Sequence, residues 1–365
     1  MKDEKKLLPE AIPRLLAWYR ENRRSMPWRD DPTPYHVWVS EIMLQQTRIE
    51  AATPYYLRFI RELPGIRELA AAEDEKLMKL WQGLGYYSRA RNLKKAAGVV
   101  VRSYGGALPE EAAELKKLPG IGDYTAGAIA SIAMGKPEPA VDGNVLRVLS
   151  RLFASEEDVL DPAVRKSAAD ALRAAYPRGR DASDLTQGLM ELGEVVCIPN
   201  GLPLCENCPL SALCRAKERG VAEKLPVRSP KKERRVEEKT VLILTDGTRF
   251  ALSKREERGL LAGLWEFPSL PGRPGEEEIL RILREKGVPA EKIVPAGEAK
   301  HVFTHVEWHM KNYIVRVATA PEGFRFPDRE TLFRDYAVPS AFRRCLDEIR
   351  KLPGDLREAR KNEEE

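Results

Sequence analysis

The stretch Leu118-Pro119-Gly120-Ile121-Gly122-Asp123-Tyr124-Thr125-Ala126-Gly127 separates a helix that ends near Lys117 from one that begins near Tyr124. Two glycines one residue apart, Gly120 and Gly122, let the backbone turn tightly and point its N–H groups outward. With the following helix N-terminus they make an anion site suited to a phosphate. The same residues also read as an ordinary αα-hairpin with a Gly-rich turn, and the segment alone does not separate the two.

Outward from this hairpin, apolar residues recur at helical spacing in residues 12–19, 37–44, 77–84, 93–101, 126–134, 145–153 and 185–196. Leu63-Pro64-Gly65, Tyr104-Gly105-Gly106 and Gly135-Lys136-Pro137 punctuate them as turns. The first 220 residues therefore read almost entirely as helix. Between residues 224 and 235, six basic residues, one acid and two prolines leave little to bury. Residues 221–239 are accordingly expected to form an exposed basic linker.

Beyond the linker the pattern becomes strand-like. Residues 240–244 are β-branched and apolar, Asp246-Gly247 is a hairpin turn, 249–252 follows, and 302–308 and 313–317 alternate likewise. Residues 276–285 and 341–351 read as helices. The expectation is a multidomain chain: an all-α domain over 1–220, an α+β domain over 240–355, and a frayed tail over 356–365. There is no internal repeat.

The length, 365 residues, suits two ordinary domains. Lys and Arg number 61 against 56 Asp and Glu, so the net charge is +5. That balance excludes a histone-like chain and names no partner by itself. A hydrophobic fraction of 43% with six Trp and nine Phe excludes general disorder. Only 11 Asn and Gln beside 32% charged residues resembles a thermophile composition. Residues 1–24 lack the apolar run of a secretory signal, and no window approaches the roughly 20 apolar residues of a membrane span. A cytoplasmic, membrane-free protein is expected, and disulfides are uncommon there.

Four of the five cysteines, Cys197, Cys205, Cys208 and Cys214, lie within 18 residues at C-x7-C-x2-C-x5-C spacing. So dense a group in a cytosolic chain points to a metal site. Zinc ribbons present two C-x2-C knuckles, and this segment has one. Uneven spacing around a compact loop favours four thiolates on the corners of one iron–sulfur cube, with zinc as the alternative. Cys345 reads as a buried helix residue.

Two carboxylates stand out. Glu41, within Trp38-Val39-Ser40-Glu41-Ile42-Met43-Leu44-Gln45-Gln46-Thr47, shares a helical face with Val37, Trp38 and Leu44. Such neighbours partly desolvate a carboxylate and raise its pKa, as a general acid requires. The plainer reading is a Glu at the rim of a helix contact. Asp142, within Ala140-Val141-Asp142-Gly143-Asn144-Val145, reads on its own first as an N-cap of the next helix. A proton-holding Glu with an ionised Asp is the pair that cleaves a bond through an oxocarbenium-like transition state. Nothing in the sequence brings the two together in space.

These motifs, with Trp81-Gln82-Gly83-Leu84-Gly85-Tyr86-Tyr87-Ser88-Arg89-Ala90, occur in one order. In that order they resemble the iron–sulfur helix-hairpin-helix DNA glycosylases, specifically the MutY-type adenine DNA glycosylases. The resemblance covers essentially the whole chain and implies a Nudix-like C-terminal domain. It implies removal of adenine mispaired with 8-oxoguanine or guanine in double-stranded DNA, by flipping the adenosine out of the duplex. Within it, Glu41 matches the residue that protonates adenine N7 and later handles the water. Asp142 matches the carboxylate that stabilises or captures the sugar cation, and Tyr124 and Asn144 match residues that position these groups. Gln187 falls where the family contacts adenine, with Arg29 near the same pocket. Gln46, Thr47, Leu84 and Tyr86 match elements that wedge into the base stack and surround the opposite base. Phe303-Thr304-His305 resembles the family's Phe-Ser-His loop that reads 8-oxoguanine. The resemblance further implies one [4Fe-4S] cluster on the four cysteines, a monomer, and a prokaryotic, nucleoid-associated setting.

The sequence departs from the family in three places. The first cysteine gap is seven residues rather than the usual six, and Thr304 replaces Ser while keeping the hydroxyl. Tyr124 stands where bifunctional relatives carry the Lys that attacks the sugar, so a monofunctional enzyme is expected rather than a strand-cutting lyase. Arg284-Glu285-Lys286-Gly287 keeps one Glu of the pyrophosphatase signature, so nucleotide hydrolysis is not expected. A lesion-binding module with structural carboxylates is the alternative of another class. His301, His305 and His309 lie about 13 Å apart if read as one strand, too far to share an ion; a loop at His305 is expected instead.

Overall fold

The computed structural model describes residues 4–230 and 233–352, so the expected frayed tail lies outside the described residues. The chain divides into two compact units. Met1–Ala72 joins Arg91–Pro230 in one, and Glu73–Ala90 joins Lys231–Glu365 in the other.

The first unit is helical. Its main elements are α1 (Glu4–Asn22), α2 (Pro34–Leu44), α3 (Asp123–Ala128), α4 (Gly143–Phe153) and α5 (Arg180–Val195). Leu8 and Leu15 of α1 pack with Val145, Leu149 and Leu152 of α4, with Leu185, Leu189 and Leu192 of α5, and with Leu172 of the helix Pro162–Arg173. Local chemistry sets the starts. Thr33 caps α2 by accepting from the His36 N–H, with Pro34 in the first turn, where its missing N–H costs nothing. At the hairpin, Pro119 and then Gly120 at φ +79° build the tight turn, and the Ile121 N–H returns to the Leu118 carbonyl at 3.2 Å. The helix after it runs from Asp123 and loosens into a π-turn over Ile129–Ala133, an irregularity frequent beside functional sites.

Close packing delivers the next segment. A Cβ on Gly127 would meet the Pro139 carbonyl oxygen at 2.3 Å, and one on Gly193 would meet the Asn144 Cβ at 2.7 Å. Backbone cannot step aside as a flexible side chain can, so α3 and α5 press on residues 139–144 only because both positions lack side chains. Gly127→Ala is expected to cost about 1–3 kcal/mol by overpacking. Chemical denaturation checks this; an unchanged midpoint would mean that residues 139–144 shift freely.

The second unit holds a four-stranded sheet in the order β4-β1-β6-β5. The strands are β1 (Arg235–Thr245), β4 (Ser269–Pro271), β5 (Ala290–Val302) and β6 (Val306–Val317), with β2 (Ser253–Lys254) and β3 (Trp265–Glu266) forming a separate pair. β1 and β6 run parallel, and the other pairings are antiparallel. Val241 and Ile243 face Cys345, Leu346 and Ile349 of the helix Arg343–Lys351. Leu242 and Leu244 face Ile279 and Leu283 of the helix Glu276–Glu285. Burial on both faces is why residues 241–244 are continuously apolar.

Three strand expectations are corrected. Residues 302–308 are not one strand: β5 ends at Val302 and β6 begins at Val306, with a turn at 303–305. The expected linker 221–239 loses its last residues to β1, which starts at Arg235 and pairs with Val306. Residues 249–252 make isolated bridges to Thr245, Asp328 and Arg325 instead of a regular strand.

The inclusion of residues 73–90 in this unit has a hydrogen-bonding cause. Lys79 Nζ donates to the carbonyls of Phe333 (2.6 Å) and Tyr336 (3.2 Å) at the end of the helix Arg329–Asp335. Gln82 donates to the Val338 carbonyl at 2.9 Å. A cation at a helix C-terminus is favourable because the carbonyls there are unpaired.

Candidate active site

A cleft of about 600 Å³ in the helical unit gathers Trp28, Arg29, Glu41, Tyr124, Asp142, Asn144 and Gln187. Gln46 and Thr47 line the same cleft. These residues come from the short helix Pro27–Asp30, from α2, α3, α4 with its cap, and α5, and from the turn after α2, and the fold brings them together.

Glu41 is 7% exposed. Burial pushes its carboxyl up to about 7, and the Asp142 charge pushes the same way. The Tyr124 hydroxyl donates to Glu41 Oε2 at 2.5 Å, and this bond and the Arg29 cation pull it back down. A carboxyl held near neutrality can carry a proton to a weak base and return as a base. Burial also raises the Tyr124 hydroxyl well above its ordinary value, so Tyr124 acts as a fixed donor.

Asp142 caps α4 and lines the cleft at the same time. Its Oδ1 caps α4 by accepting the Val145 N–H at 2.7 Å, while Oδ2 accepts from Asn144 Nδ2 at 3.0 Å. Burial raises its pKa above the usual 3.8, against the cap bonds and the Arg147 cation. The chain of contacts continues inward. Arg147 donates to Asn144 Oδ1 at 2.9 Å, to the Gly193 carbonyl at 2.6 Å and to the Cys197 carbonyl at 2.8 Å.

The four clustered cysteines line one small hollow with Val196, Pro203, Leu204 and Ala222. Arg151 Nη1 donates to Cys197 Sγ at 3.2 Å, a charge-assisted contact that suits a thiolate. Among the described residues no three His, Cys, Asp or Glu side chains converge on a single-ion site. One zinc draws four sulfurs to about 2.3 Å, whereas a cube holds its thiolates on separate corners. Four cysteine sulfurs around one hollow are a donor set that an iron–sulfur cluster takes.

In the other unit, the 303–305 turn presents Phe303, Thr304 and His305 together. Phe303 stacks edge-on between His301 and Trp308 at 4.6 and 4.8 Å, which leaves Thr304 and His305 exposed. The Tyr86 hydroxyl lies 3.1 Å from Thr304 Oγ1. Tyr86 is 47% exposed, while Leu84 is buried. Gln46 and Tyr86 both hold a positive φ, +58° and +45°, a strain that clusters at working positions.

Sequence reasoning missed Glu191, Arg24 and Arg165. Glu191 lies on α5, four residues after Gln187, at 1% exposure and paired with Arg24 and Arg29. In the sequence it shares a helix face with the polar Asp184, Gln187 and Glu194, so nothing there marks it as buried. Arg165 Nη1 donates to the Val141 carbonyl at 2.7 Å, and nothing in its sequence surroundings marks it.

Residues 39–174 match the family model described as HhH-GPD superfamily base excision DNA repair protein, and residues 240–348 match a NUDIX domain. Adenine DNA glycosylase from Homo sapiens is 34% identical over 91% of this chain and 72% of its own length. The adenine DNA glycosylase of Buchnera aphidicola (strain APS) is 33% identical over 85% and 88%. Among solved structures, a thermostable thymine-DNA glycosylase superposes at TM-score 0.53 with 28% identity, over 60% of this chain and 98% of that one. With its helical domain, Nudix-like sheet and paired carboxylates, the chain belongs to the adenine DNA glycosylases, enzymes of base excision repair.

Proposed function

We propose that this enzyme hydrolyses the N-glycosidic bond of adenine placed opposite 8-oxoguanine, or opposite guanine, in duplex DNA, without cutting the strand. The observation that carries the reading is the buried Glu41 carboxyl, held near pKa 7 and bonded to Tyr124 in one cleft with Asp142 and Asn144.

The flipped adenosine enters the cleft, and protonated Glu41 gives its proton to adenine N7. The C1′–N9 electron pair leaves with the base, and the positive charge that develops on the sugar is met by Asp142. A retaining course follows: Asp142 takes C1′ from one face, and water then replaces it. Glu41, now a carboxylate, accepts the proton of that water. Asn144 and Arg147 keep Asp142 aimed, and Tyr124 keeps Glu41 aimed. Without an amine at position 124, no Schiff base forms and the strand stays whole. The exposed Thr304-His305 pair with Tyr86 supports reading the opposite base in the Nudix-like unit, and the Gly120–Gly122 turn supports a phosphate contact. The reading carries with it a monomer working in the cytoplasm on nucleoid DNA.

One [4Fe-4S] cluster is part of this proposal, on Cys197, Cys205, Cys208 and Cys214. When bound it ties the 197–214 loop into one body through four iron–thiolate bonds. Cys208→Ser is expected to bleach the visible thiolate-to-iron absorption and to lower thermal stability. Unchanged absorption would remove Cys208 from the ligand set.

The test is single-turnover base release from a duplex with adenine opposite 8-oxoguanine, guanine or thymine. Release is expected opposite the first two, with strand breaks only after alkali. Scission before alkali, or no release, would sink the reading.

A further inference from the structure

We propose that Glu191 is a positioning residue for base excision, holding the Arg29 guanidinium at the wall of the cleft so that its remaining N–H donors meet the flipped base. The inference rests on the adenine reading above and extends it to a residue that touches neither base nor sugar.

Glu191 also lines the cleft, but its acceptors are already engaged. Its Oε1 accepts from the Arg24 backbone N–H at 3.3 Å and from Arg24 Nε at 2.5 Å. Its Oε2 accepts from Arg24 Nη2 at 3.2 Å and from Arg29 Nη2 at 2.8 Å. Four donors meet about four lone-pair sites on a carboxylate, so its accepting capacity is spent inside the protein. Its partners differ. Arg24 also pairs with Glu194 at 2.9 Å and is 36% exposed, toward the rim. The Arg29 side chain is 11% exposed, lines the cleft and lies over the Tyr19 ring at 5.7 Å.

The guanidinium of Arg29 is fixed from two sides, by Glu191 on Nη2 and by the Arg24 carbonyl on Nη1 at 2.9 Å. Those bonds use two of the five N–H donors of the planar fork. The other three belong to a group whose plane is set before any base arrives. A purine offers ring-nitrogen acceptors, and a donor already oriented meets them without an ordering cost. A lysine would keep the ion pair with Glu191 but lose the plane.

The test uses the full enzyme and two measurements: the single-turnover rate on adenine opposite 8-oxoguanine, and affinity for the same duplex carrying non-cleavable 2′-fluoro-2′-deoxyadenosine. Glu191→Gln is expected to lower the rate at least about tenfold, because an amide holds the guanidinium without charge assistance. Affinity should stay within about twofold, since phosphate contacts dominate it. Arg29→Lys should give a similar loss, and the double variant should lose no more than the worse single one. Losses that multiply in the double variant, or a Glu191→Gln rate equal to wild type, would overturn the inference, as would an equal fall in rate and affinity. Should Glu191→Gln fail to fold, Arg29→Lys decides alone: it keeps the ion pair, and a wild-type rate would refute the orienting role. A wild-type enzyme that leaves adenine in place marks the failure of the adenine reading itself, which is a separate outcome.

Discussion

Glu41→Gln should cripple turnover and make the protein more stable at alkaline pH. The amide is nearly the same size, and its carbonyl oxygen still accepts the Tyr124 hydroxyl. What it lacks is a proton to give. General acid catalysis contributes 10²–10⁴ in rate, so single-turnover base release should fall about a thousandfold.

The stability change follows from the same burial. The Glu41 carboxyl is raised from 4.5 to about 7, with burial as the largest cause. Below the unfolded pKa the group is protonated in both states and contributes no penalty. As pH rises through the folded pKa it ionises in the native state too, and the full desolvation penalty is present. A shift of that size corresponds to roughly 3 kcal/mol. Glu41→Gln should therefore match wild type near pH 4 and exceed it by about 2–3 kcal/mol at pH 8. Equal stability at both pH values would mean that the carboxyl is not desolvated in the native protein. The wild-type rate has a matching signature: activity needs protonated Glu41 and should decline as pH rises above about 7.

Asp142→Asn is expected to separate fold from chemistry in the opposite way. Asn caps a helix as well as Asp does, so the Val145 N–H keeps its partner and α4 keeps its start. The new amide faces Asn144 Nδ2, where Oδ2 accepted before, so one hydrogen bond is lost, about 1 kcal/mol. The catalytic loss should be far larger. Without its negative charge the side chain aimed at the sugar no longer neutralises the cation there, and base release should fall about a thousandfold or more. Binding to the mispaired duplex should persist, because removing an anion beside DNA does not weaken it. A variant that releases base at a tenth of the wild-type rate would show that Asp142 is only a cap. The acid side of the pH profile carries the complementary sign: burial raises Asp142 above 3.8, so activity should fall with decreasing pH at a point above that value.

These expectations draw unequally on sequence and structure. The helical periods, the Pro119–Gly120 turn, the Asp142 cap and the four-cysteine loop were legible because each depends on residues close in the chain. The strand β5 was not. Its burial pattern alternates poorly, with most residues exposed or half-exposed, because it is an edge strand with a solvent side. Residues 73–90 were likewise unassignable, since their grouping rests on Lys79 and Gln82 reaching carbonyls some 250 residues away.

By itself the sequence determined which groups are available: a Glu on an apolar helix face, an Asp at a cap, a Tyr where an amine would cut strands, and four thiols for a metal. Only the tertiary structure decided what those groups can do. The pKa of Glu41 belongs to the dielectric around it, made by α2 together with Tyr124, Asp142 and Arg29 from elsewhere in the chain. Glu191 became visible for the same reason. In the sequence it is one more acid in an amphipathic helix, and in the fold it is a buried anion with two arginines to hold. Short-range forces write local geometry into neighbouring residues, whereas desolvation and ion pairing depend on whatever the folded chain packs alongside.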